Sequence, residues 1–117
     1  MGNIALNGSI AAILAQLTTE ERNGGVVYVA TEPIRAGAGL EFPKIKIEVK
    51  WDALLAFVDR DPMANWSHSC RYLLLNIKTH EVESFEAALP PFSNKSVHWR
   101  VAYKAPSVPD ALLAVAR

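Results

Sequence analysis

The side chains able to do chemistry fall into a few groups, and each also admits an ordinary structural reading. His68 and Cys70 stand two apart in NWSHSC. In extended backbone alternate residues share a face, so the two point the same way. A thiol beside an imidazole can form a thiolate–imidazolium nucleophile. The same pair offers two metal ligands, which His80 or His98 would have to complete. The ordinary reading is that a lone cysteine at the start of a strand is a small buried hydrophobe. With that reading preferred, no metal and no other cofactor is expected.

A second group comes from strand alternation. It puts Tyr72, Asn76, Ser84, Glu86, His98 and Arg100 on one face of a sheet, away from Leu73, Phe85 and Trp99. There Glu86 and His98 would act as acid and base, with Arg100 holding an anionic substrate. Opposite charges across strands are equally the normal covering of a solvated sheet face.

Trp66 makes a third candidate, because it lies in a polar loop outside any apolar stripe. Exposed tryptophan marks binding hot spots, although it can also plug the end of a sheet. Trp66, Tyr72 and Arg100 are therefore the expected contacts to a ligand or partner. The glycines Gly37 and Gly39 in RAGAGLEF lack the spacing, the following helix and the Lys-Ser/Thr pair of a phosphate loop.

The elements that must position these residues follow from periodicity. Ile10, Ile13, Leu14 and Leu17 predict a helix, with Ser9 as its N-cap. Thr18 and Glu21 have capping-box spacing, so the helix kinks or restarts there, and Asn23-Gly24-Gly25 stops it. Val26 to Ala30 reads as a buried strand. Lys44 to Lys50 reads as a half-buried one, with Ile45, Ile47 and Val49 inward. Trp51, Leu54, Leu55 and Val58 have helical spacing, and a short helix is favoured there over a strand.

Arg71 to Leu89 reads as a hairpin. Leu73, Leu75 and Ile77 should face the same side as Phe85, Ala87 and Leu89, which requires a loop of three or five residues, or a bulge, around Thr79 to Glu81. Ser96 to Lys104 is a further strand. Ser107 and Asp110 precede a short helix over Ala111 to Ala116. The expected fold is therefore α+β: one domain over residues 1–117, with an antiparallel sheet of about four to five strands. An N-terminal helix packs on one face, with short additional helices.

The totals narrow the function. Twelve basic residues balance twelve acidic ones among 117, half of them hydrophobic. A neutral chain without a basic cluster does not fit a nucleic-acid binder. The apolar stretch Ile10 to Leu17 is too short to cross a bilayer and follows no basic residue. A single cysteine rules out an internal disulfide and fits the cytoplasm. The expectation is a small non-enzymatic binding module for an apolar small molecule or a protein partner, with self-association as a homo-oligomer included. The alternative is a small enzyme using Glu86 with His98, or Cys70 with His68.

Overall fold

The computed structural model describes residues 2–64 and 68–115, with side chains from residue 7 onward. Two helices come first, α1 (Gly2–Leu14) and α2 (Thr19–Gly24). Seven strands follow: β1 (Val26–Ala30), β2 (Gly39–Phe42), β3 (Ile45–Glu48), β4 (Ala53–Asp59), β5 (Cys70–Asn76), β6 (Val82–Ala87) and β7 (Trp99–Lys104). A single 3-10 turn, Asp110–Leu112, closes the described chain. Five strands form one antiparallel sheet in the order β6-β5-β4-β1-β7, and β2 and β3 form a separate hairpin. The fold is α+β, as expected. No described helix is long and apolar enough to cross a membrane.

The stretch favoured as a helix, Trp51 to Val58, is instead the central strand β4. All seven residues of β4 are buried. A strand covered on both faces shows no polar alternation, so its apolar run can imitate helical spacing. Leu54, Ala56 and Val58 face the helices, while Ala53, Leu55 and Phe57 face the other way.

The two faces differ in kind. On the helix side, Ile13 and Leu17 pack on Val27, Val29, Leu54, Val58, Leu73 and Leu75, all of them aliphatic. On the opposite side Tyr28, Phe57 and Tyr72 of the sheet meet Phe42 of the hairpin, Phe92 and Trp99. The rings make a continuous set: Phe42 stacks on Tyr72 with centroids 4.9 Å apart, and Phe92 meets Tyr28 edge-on at 4.9 Å. Inter-ring pairs of this kind add to simple burial.

Two-sided covering also corrects the β5–β6 register. Leu73 pairs with Ser84, Leu75 with Val82 and Tyr72 with Phe85. Phe85 therefore joins Tyr72 on the aromatic side, not Leu73, and an even number of residues, 76–81, lies beyond the last paired rung. The turn is held by Asn76, whose side-chain oxygen accepts from the N–H groups of Lys78 (2.9 Å) and Thr79 (3.1 Å). The expected polar face is absent for the same reason: Tyr72 is wholly buried in the aromatic layer.

Several local expectations hold. Ile47 and Val49 are buried and Ile45 is partly buried, while Lys46, Glu48 and Lys50 are exposed. Thr18 and Glu21 form the capping box of α2. Two others are corrected. Ser9 lies inside α1, which begins at Gly2, and does not cap it. The terminal helix reduces to one 3-10 turn after Pro109, with no side-chain cap. Beyond it Leu113 and Val115 pack on the aromatic side, and the Ala114 N–H donates to the Tyr28 hydroxyl at 3.0 Å.

Ser9 is fully buried and its hydroxyl has no hydrogen-bond partner among the described residues. A buried unsatisfied hydroxyl is costly, and alanine is the better helix former. Ser9→Ala is therefore expected to raise stability by about 1–2 kcal/mol, read as a higher melting temperature or denaturant midpoint. A loss of stability would place the hydroxyl in a polar contact.

Candidate functional site

The polar chemistry of the chain concentrates where α2 meets the ends of β4 and β5. Glu21 is drawn there by its cap: its N–H donates to the Thr18 hydroxyl, and its Oε1 accepts from the Thr18 N–H at 2.9 Å. The carboxylate is completely buried, and two guanidiniums reach it. Arg60 Nε donates to Oε2 at 2.7 Å, and Arg71 donates from Nε to Oε2 at 3.0 Å and from Nη2 to Oε1 at 2.8 Å. Arg60 also grips Glu86 with both terminal nitrogens, at 2.6 and 2.9 Å, and donates to the Ser69 hydroxyl. Arg71 continues to Ser84 Oγ and the Gln16 carbonyl.

Burial by itself pushes the Glu21 pKa up, but the Thr18 amide and the two arginines outweigh it and leave it lowered. Glu86 is lowered chiefly by its hydrogen bonds from Arg60. A carboxylate held this firmly is a structural counter-ion, and it is ill placed to take up a proton near neutrality.

Beside this network lies a second couple. His68 Nε2 sits 2.8 Å from Asp59 Oδ1, which also accepts from the Asp61 N–H at 3.0 Å. Cys70 is the rung opposite Asp59, is fully buried, and directs its thiol to the Leu89 carbonyl at 3.7 Å. Burial, with the Asp59 charge adding to it, pushes the thiol pKa up to about 11. That is the reverse of the depressed value a nucleophilic or metal-binding thiolate needs.

The remaining candidates are dispersed. Glu86 lies on β6 and His98 just precedes β7, at opposite edges of the sheet, about 19 Å apart at roughly 4.8 Å per strand. The structure does not bring this acid–base pair together. Arg100 is exposed on edge strand β7, separated from Tyr72 on β5 by β4 and β1. The Tyr72 hydroxyl donates inward to the Leu89 carbonyl. His80 sits in the β5–β6 turn, roughly 20 Å along β5 from Cys70, so neither it nor His98 can complete a metal site with His68 and Cys70. Among the described residues no three His, Cys, Asp or Glu side chains form a metal-binding group. Trp66 lies outside the described residues.

An open cleft lies elsewhere among the described residues, at the end of the sheet where the root of the β2–β3 hairpin meets the β5–β6 turn. It encloses about 610 Å³ and is lined by Ala36, Lys50, Trp51, Asp52, Asn76, Ile77 and Lys78. Asp52 fixes its wall by accepting the Ala36 N–H at 2.9 Å through Oδ1 and the Ile77 N–H at 3.2 Å through its carbonyl. Trp51 is half-buried and packs its inner edge on the aromatic layer. Sequence reasoning gave Trp51 to the core and missed the cleft. The missed signal was its position between Lys50 and Asp52, where the chain enters β4. A search of family models, curated proteins and solved structures finds no match for this chain.

Truncating a buried charge is far costlier than truncating an exposed one. Glu21→Gln should destabilise by about 3–5 kcal/mol, and Glu86→Gln by no more than about 1 kcal/mol, its carboxylate being largely exposed. Because both folded-state values are depressed, their contribution is present above the unfolded carboxylate pKa, about 4.3, and is lost as pH falls through the folded values. Resistance to denaturant below pH ~4 should therefore fall progressively in the wild type and less steeply in Glu21→Gln. Equal slopes would remove Glu21 from the acid response.

Proposed function

We propose that the protein is a small non-enzymatic binding module whose ligand, a small molecule with an apolar body, occupies the Trp51 cleft. The cleft carries this reading. Its volume of about 610 Å³ lies within the range of small-molecule sites. Trp51 and Ile77 offer an apolar surface inside a polar rim, the composition such sites share. The state of the catalytic candidates supports the same reading, since Glu86 is clamped by Arg60 and the Cys70 thiol is buried and protonated. The unpaired Cys70 fits the cytoplasm, where thiols stay reduced.

One contact favours the enzymatic alternative: the Asp59–His68 hydrogen bond next to Cys70. Alkylation separates the two readings. With its pKa near 11, Cys70 should resist iodoacetamide at neutral pH in the folded protein and react at the ordinary rate once unfolded. Rapid labelling of the native protein that depends on His68 would favour the enzyme.

Binding itself is tested by a thermal-unfolding screen of wild type and Trp51→Ala, each referenced to its own unliganded melting temperature. A ligand present at about a hundred times its dissociation constant adds roughly 2.7 kcal/mol, several degrees for a chain of this size. Stabilising compounds should lose their effect in Trp51→Ala. Shifts that survive the substitution would put the ligand elsewhere. A flat screen alongside self-association, or capture of a protein partner that depends on Trp51, would replace the small molecule with that partner.

A further inference from the structure

We infer that the ligand of the Trp51 cleft is an amphipathic anion, an apolar body ending in a carboxylate or comparable oxyanion; this rests on the binding reading above. Donors and acceptors around the cleft are unequally engaged. The Asn76 side-chain oxygen, which has two lone pairs, already accepts from the Lys78 and Thr79 N–H groups. Asp52 has turned one oxygen to the Ala36 N–H, and its carbonyl accepts from Ile77. The Asn76 oxygen is thus filled, while the Asp52 carboxylate is turned to the wall through one of its two oxygens.

The cationic donors are held loosely or not at all. Lys78 has no acidic partner among the described residues, and it stands exposed on the turn. Among the described residues Lys50 pairs with Glu83, at 3.1 Å, in an exposed pair outside the lining. Such pairs are weak and exchange readily. Two lysines against one aspartate leave the lining positive. A ligand with an oxyanion would meet two ammonium groups, while its apolar part covered Trp51 and Ile77.

Matched acid and alcohol probes isolate the head group: octanoate with octanol, and naphthylacetate with naphthylethanol, titrated by calorimetry at low salt. A hydrogen bond to a charged group supports at least about tenfold tighter binding of each acid. Added salt should erode that advantage. Lys78→Gln, on an exposed turn, should shrink the advantage of the acids over the alcohols, and an advantage that stays at full size in this variant would overturn the anion site. If alcohols and acids bind equally well in the wild type, the anion is overturned and the cleft remains a binding site. If no probe binds, or binding ignores Trp51→Ala, the binding reading falls and the anion with it.

Discussion

A carboxylate with no access to water organises the junction of this fold. Left alone, the buried Glu21 charge would cost several kcal/mol. The chain meets that cost by bringing Arg60 from the end of β4 and Arg71 from β5 to the same two oxygens. Through these arginines the helical layer is tied to three neighbouring strands and to the Gln16 carbonyl. The packing beside it has no slack. A Cβ on Gly25 would lie 2.7 Å from the Glu21 carbonyl oxygen and 2.8 Å from that of Asp59. Glycine is needed there for close approach, since the backbone conformation itself is ordinary extended chain. Breaking such a network is costly even where the network adds little net stability, and here it joins α2 to the ends of β4 and β5.

Local rules carried the sequence reading wherever one face of an element is wet. KIKIEVK alternates because one side of the hairpin is solvated, and the Thr18–Glu21 cap is a contact between near neighbours. The reading failed where covering comes from distant parts of the chain. ALLAFVD has no polar side because helices cover one face and aromatic loops the other. The same hidden second layer reversed the partner of Phe85. It also turned Tyr72 from a surface candidate into a core residue.

The site suffered from the same limit. Glu21 was visible as a cap and Arg71 as the odd charge in CRYLLLN, yet nothing local joins residues 50 apart in the chain. The Trp51 cleft depends on three segments meeting at one end of the sheet: the hairpin root, the entry to β4 and the β5–β6 turn. No periodicity encodes that meeting. The functional candidates that sequence did offer, Glu86 and His98, were chosen for chemical type. The strand order then set them at opposite edges.

Among the described residues, the sorting of aromatic side chains to one face and aliphatic ones to the other makes the sheet optically one-sided. Tyr28, Tyr72, Phe57, Trp51 and Trp99 all belong to the layer away from the helices, while Tyr103 touches both. The layer under α1 and α2 otherwise contains no described ring. Near-ultraviolet dichroism and the fluorescence of Trp51 and Trp99 therefore report on the hairpin side of the sheet. A state in which the helices had lifted from Val27, Leu54 and Leu73 could keep those signals nearly intact while its far-ultraviolet helical band faded.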